Sequence, residues 1–224
     1  MATQSDTSHR NHGQRYKITR MTSSTQLETA ERNRGVVFHV SLLYNLVLQH
    51  EQRRPWWSRI EPRLILGALP LQNKSHLDQL VQGEGVKAIV TMNQPVELLP
   101  NLLSTPVSPA EWENAQVTQC FGSTGDFTPP TLETLERCVS FVHEQVDVQQ
   151  NTTYVHCKAG RGRSTVVVVA FLVQYRDMKL EEAFEFVKSK RPHVSLHPKQ
   201  RRILHEFSKK YPSSAGASPA STST

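Results

Sequence analysis

Between Thr152 and Tyr175 a β-prone run, a glycine-containing loop and a long apolar stretch follow one another without a break. Thr152-Thr153-Tyr154-Val155-His156 is β-branched and aromatic and reads as a strand. From Ser164 to Tyr175 almost every residue is apolar. The valines of that stretch favour a strand by propensity alone, but its length and its position after the loop decide for a helix buried on all sides. A strand that feeds a helix through a tight loop is the unit of α/β architecture. It also creates an anion site, because the first N–H groups of the helix lack partners and the helix dipole adds partial positive charge.

The rest of the chain repeats this alternation. Leu64-Ile65-Leu66-Gly67, Val86 to Met92 and Val117 to Phe121 read as strands. Ser75-His76-Leu77-Asp78 has the spacing of a helix capping box, and Ser108-Pro109-Ala110-Glu111 joins such a box to Pro at the first helical position. Thr128-Pro129 is expected to cap a helix with Leu132, Leu135, Cys138, Val139 and Val142 on one face. Amphipathic helices follow near Leu180–Lys190 and Pro198–Lys209. The fold class expected is therefore α/β, a central mostly parallel sheet flanked by helices, over residues 56–211.

Outside that region the composition changes. Residues 1–35 and 212–224 are polar and lack apolar periodicity, so they are expected to be disordered tails. Residues 36–55 hold a short apolar segment, Val36 to Leu48, too short to span a bilayer and suited to lie on the domain or on a membrane. Arg53, Arg54, Trp56, Trp57 and Arg59 suit an interfacial anchor or the packed entrance of a strand. The 26 Lys and Arg outnumber the 20 Asp and Glu, and the net charge of +6 favours anionic partners. A basic stripe interleaved with aromatics is missing outside the Arg53–Arg59 patch, so nucleic acid is not expected as a partner. The three cysteines, Cys120, Cys138 and Cys157, show no paired spacing and read as reduced thiols. No metal-ligand spacing occurs among the 10 histidines, and no cofactor is expected.

The chemistry concentrates in His156-Cys157-Lys158-Ala159-Gly160-Arg161-Gly162-Arg163-Ser164. Gly160 and Gly162 permit the backbone angles of an anion-cradling turn. A cysteine at the head of that turn has its pKa lowered toward the thiolate, which is the nucleophile. Arg163 can grip two oxygens of a bound phosphoryl group with its planar fork. These residues resemble the signature of the protein-tyrosine-phosphatase superfamily, HCxxGxxR followed by Ser or Thr. The resemblance implies a phosphocysteine intermediate on Cys157 and phosphate binding by Lys158, Ala159, Gly160, Arg161, Gly162 and Arg163. His156 then orients the loop, and Ser164 donates a hydrogen bond to the sulfur. A general acid is expected on a separate loop, and Asp126, in Gly122-Ser123-Thr124-Gly125-Asp126-Phe127-Thr128-Pro129-Pro130, lies where the family places one.

Over residues 36–210 the resemblance narrows. Leu66-Gly67-Ala68-Leu69-Pro70-Leu71, Val90-Thr91-Met92-Asn93, Glu111-Trp112 and Val155 to Arg161 look like the mitochondrial phosphatidylglycerophosphate phosphatases, enzymes with a dual-specificity-phosphatase-like fold. What this implies is hydrolysis of an anionic phospholipid, and Lys158 and Arg161 add charge that suits a crowded headgroup. It also implies a monomer held peripherally at the mitochondrial inner membrane, with the cytoplasm as the alternative compartment. Arg10, Arg15, Lys17, Arg20, Arg32 and Arg34 give the N-terminal region the basic bias of a transit peptide, against Asp6, Glu28 and Glu31. Competing substrates are phosphoproteins carrying phosphotyrosine or phosphothreonine, and phosphoinositides.

Overall fold

The computed structural model describes residues 54–101 and 104–213; the expected N-terminal tail, the C-terminal tail after Ser213, the apolar segment at Val36–Leu48 and the transit-like arginines lie outside them. Five strands form one sheet in the order β1-β2-β5-β3-β4. They are β1 (Trp57–Glu61), β2 (Leu64–Gly67), β3 (Val86–Thr91), β4 (Thr118–Phe121) and β5 (Thr152–His156). β2, β5, β3 and β4 run parallel, while β1 is an antiparallel edge strand on β2. The register places Leu66 opposite Val155 and Val90 opposite Val155 on its other side, so β5 is the sheet's central strand.

Strand residues alternate between two cores, as a period of two requires. Leu64, Leu66, Val90 and Val155 point to one face, and Ile65, Ile89 and Tyr154 to the other. The first face is covered by α3 (Leu132–His143), α4 (Arg163–Tyr175), α5 (Leu180–Lys190) and α6 (Pro198–Lys210). Val166 through Leu172 are fully buried between the sheet and these helices. That burial explains a helix made of valines. Each costs at most about 0.7 kcal/mol in helix propensity, whereas a fully buried valine contributes about 1.5 kcal/mol or more. The second face is covered by α1 (His76–Asp78), which runs on as a wider π turn, and by α2 (Pro109–Asn114). Among the described residues no helix is long and apolar enough to cross a membrane.

Two local expectations change. At Ser108 the capping box forms as expected, its Oγ accepting from the Glu111 N–H while Glu111 accepts from the Ser108 N–H. At Ser75 no side-chain cap forms, because the residue is left-handed (φ 54°), closing the preceding turn instead. The cap of α3 lies at Thr131, three residues beyond Thr128, whose hydroxyl donates to the Gly125 carbonyl within the Asp126 loop. The tryptophans serve packing: Trp56 is buried and donates to the Leu69 carbonyl, and Trp57 donates to Glu84.

Candidate active site

In a parallel sheet flanked by helices, ligands collect beyond the carboxyl ends of the strands. The loop from Cys157 to Gly162 leaves the end of β5 there and enters α4 at Arg163. Its carbonyls are turned outward and tied to the scaffold. That of Lys158 accepts from the Leu69 N–H at 3.3 Å, and that of Arg161 from the Ser195 N–H at 2.9 Å. Arg191 takes the carbonyls of Gly160 at 2.9 Å and Ala159 at 3.4 Å. Because each peptide is planar and trans, carbonyls held outside turn the following N–H groups toward the hollow of the loop. Gly160 sits at φ 62°, and a Cβ there would stand 2.4 Å from the Gly67 backbone, so only glycine fits.

Cys157 lies at the base of this hollow. Burial alone would raise its thiol pKa. The Arg163 charge, the Ser164 hydroxyl at 3.2 Å and the N–H groups of Ser164 and Arg161 outweigh it and hold the thiol below its ordinary range. His156 is buried against Thr91, with 2.9 Å between Nε2 and Oγ1. Burial pushes its pKa down to about 3, so the imidazole is neutral.

Arg163 is clamped from behind. Its Nη1 donates to Glu97 Oε2 at 2.6 Å and to the Thr124 carbonyl at 2.8 Å, and its Nη2 donates to Glu97 Oε1 at 3.0 Å. Three of the five N–H donors of the guanidinium are thereby used. What is left is Nε–H and one Nη2–H, a parallel fork on one edge, matched to two phosphoryl oxygens. Asp126 stands beside that edge, with Oδ1 3.4 Å from Nη2 and its other oxygen bonded to Lys158 Nζ. Asp126, Cys157, Lys158, Arg161 and Arg163 line one cleft of ≈ 410 Å³ together with residues at the start of α6. The arrangement can hold a phosphoryl group above a thiolate, with a carboxyl group at the mouth.

Every residue singled out in the loop is brought to the cleft or its frame. Glu97 and Arg191 were not singled out for a role. Arg191, buried and bonded to carbonyls and to the Ser58 hydroxyl, had no signal beyond its place before Pro192. Cys120 and Cys138 are free and face each other, their sulfurs 3.9 Å apart.

A cysteine and an arginine sharing an anion-cradling turn between strand and helix define a cysteine-dependent phosphatase. The chain belongs to the dual-specificity phosphatase family, whose catalytic-domain model ("Dual specificity phosphatase, catalytic domain") matches residues 72–210. It is 39% identical over 179 residues to the Phosphatidylglycerophosphate phosphatase PTPMT2 of Arabidopsis thaliana, covering 78% of this chain and 72% of that protein. It is also 39% identical to the Phosphatidylglycerophosphatase and protein-tyrosine phosphatase 1 of Rattus norvegicus, over 78% of this chain and 89% of the relative. The crystal structure of PTPMT1 in complex with PI(5)P is similar with a TM-score of 0.64 at 37% identity, over 70% of this chain and 97% of that one. Tk-PTP in its active form gives a TM-score of 0.62 at 29% identity, over 70% of this chain and 98% of that one.

The clamp behind Arg163 yields a prediction. Glu97→Gln keeps the shape but removes the charge facing a buried guanidinium, so the fork loses its fixed aim. We expect kcat on a small soluble phosphomonoester to fall on the order of 10²-fold. Stability should also fall, because a buried charge loses its partner. Steady-state kinetics and thermal melting check both.

Proposed function

We propose that this phosphatase removes the terminal phosphate of phosphatidylglycerophosphate, giving phosphatidylglycerol and inorganic phosphate. The observation that carries the reading is the charge in one cleft: Lys158 pairs with Asp126 and Arg163 with Glu97, and Arg161 adds a further cation for an anionic headgroup. The 37–39% identity to phosphatidylglycerophosphate phosphatases over most of the chain supports it. With that substrate goes the compartment expected from the resemblance, the mitochondrial inner membrane, with the chain bound peripherally.

In the first step the Cys157 thiolate attacks phosphorus in line while the phosphorus–oxygen bond to glycerol breaks. Asp126 gives its proton to the leaving oxygen, and the Arg163 fork with the loop N–H groups holds the equatorial oxygens. In the second step water attacks the phosphocysteine, Asp126 takes the water proton, and the sulfur leaves as a thiolate stabilised by Ser164. His156 holds the head of the loop in place throughout.

The general acid is tested by Asp126→Asn. Glycerol is a poor leaving group, so turnover of the lipid should fall about 10²–10⁴-fold. A nitrophenyl phosphate, whose leaving group needs no proton, should lose far less. Equal losses on both substrates would remove Asp126 from the acid role.

The substrate is tested by comparing kcat/KM for phosphatidylglycerophosphate, a phosphoinositide monophosphate and phosphotyrosine peptides. The lipid reading requires the first to exceed the others. A preference for peptides would favour protein dephosphorylation, an activity that the rat relative's name also carries.

A further inference from the structure

Among the described residues five large apolar side chains stand exposed, and four of them are Val96, Leu99, Phe121 and Phe127, at 68%, 60%, 42% and 61% exposure. All four lie at or beyond the carboxyl ends of two neighbouring parallel strands. Val96 and Leu99 belong to the turn after β3, Phe121 ends β4, and Phe127 follows on the loop from β4. The fifth, Val148, precedes the amino end of β5, the opposite edge of the sheet.

The turn and the loop meet on one group. Glu97, between Val96 and Leu99, and the Thr124 carbonyl, three residues before Phe127, both accept hydrogen bonds from Arg163. Phe127 lines the cleft, and Val96, Leu99 and Phe121 are exposed at the same end of the sheet. A concentrated apolar fringe of this kind marks an interaction face. Pro198 and Gln200 at the start of α6 also line the cleft, and Lys199 and Arg202 stand exposed on the same first turns of that helix.

We propose that this edge is a membrane-docking face. Val96, Leu99, Phe121 and Phe127 enter the interfacial layer of a bilayer carrying anionic phospholipids, and Lys199 and Arg202 meet lipid phosphates. Apolar insertion combined with cationic contact is how a protein lies on such a surface without spanning it. The docked pose turns the cleft toward the headgroups, so a lipid phosphomonoester reaches Cys157 while its acyl chains stay in the bilayer. This inference rests on the lipid reading above.

The test uses the full chain and two measurements. In the first, wild type, a Val96→Ser/Leu99→Ser double variant and Phe121→Ser act on long-chain phosphatidylglycerophosphate in phosphatidylcholine–phosphatidylglycerol vesicles. The same proteins act on dispersed dihexanoyl phosphatidylglycerophosphate. Vesicle turnover should fall on the order of tenfold while dispersed turnover is unchanged. Equal turnover on vesicles by wild type and variants overturns the docking face, as does a loss seen on phosphopeptides but not on vesicles. In the second, Leu99→Trp should be quenched by brominated acyl chains beyond the background of the native tryptophans, and no added quenching overturns the proposal. A wild type that hydrolyses neither lipid form sinks the substrate reading instead, and the quenching still decides docking.

Discussion

Cys157→Ser is expected to abolish phosphate release, by on the order of 10⁴-fold or more, with the fold intact. The substitution changes one buried atom and leaves the loop N–H groups and the Arg163 fork in place, so phosphate and substrate should still bind. The loss comes from the ionisation of the nucleophile. The thiol is held below its ordinary range by Arg163, Ser164 and the backbone N–H groups of Ser164 and Arg161, against the opposing effect of burial. A serine hydroxyl starts so much higher that the same surroundings leave it protonated. The sign of the pH dependence follows: a lowered thiol pKa keeps the nucleophile charged toward acid, and activity falls as pH drops through that value. Ser164→Ala removes one stabilising contact at 3.2 Å and should move the acidic limb upward. The pH dependence of Cys157 alkylation by iodoacetamide, read on wild type and Ser164→Ala, checks the shift without relying on turnover. Phosphate release by Cys157→Ser within tenfold of wild type would mean that another nucleophile acts.

The loop from His156 to Ser164 was legible because its constraints are local. Strand, turn and helix follow one another in sequence, and the N–H groups that make the anion site belong to the turn itself. The clamp on Arg163 was not legible in this way. Glu97 lies 66 residues away from Arg163, and the two meet only because β3 pairs with β5 and carries its following turn to the same edge. Arg191 was harder still. Four of its five partners are carbonyls, which every residue carries, and the fifth is the Ser58 hydroxyl, 133 residues away, so its partners leave no local mark in the sequence.

Helix boundaries show the same division between local and non-local causes. Ser108 and Thr131 each have a free N–H three residues on and form caps. Thr128 precedes Pro129-Pro130 and has the composition of a cap, but its hydroxyl finds the Gly125 carbonyl first. That choice closes the turn holding Asp126 and Phe127. A residue read as the start of a helix instead shapes the loop that carries Asp126.

Arg163→Lys should cost on the order of 10³-fold in kcat/KM, although the formal charge is kept. Two donors of the phosphate fork are lost in place of one, and removal of a single preorganised donor costs about 10²–10³-fold. Lysine has a point charge on a flexible stem and cannot serve Glu97, the Thr124 carbonyl and two phosphoryl oxygens at once. Its ammonium would be drawn to Glu97, the nearer anion, and away from the substrate. The Glu97 contact and the Cys157 thiolate both stabilise the arginine charge against its burial, so a shorter cation also weakens the thiolate. Arg163→Lys is therefore expected to raise the acidic limb of the pH profile as well as to slow the reaction. A substitution that lost only phosphate contacts would slow the reaction at every pH alike. Profiles of kcat/KM against pH for wild type and Arg163→Lys separate the two: a parallel drop would assign Arg163 to binding alone, and a shifted limb assigns it also to holding the nucleophile charged.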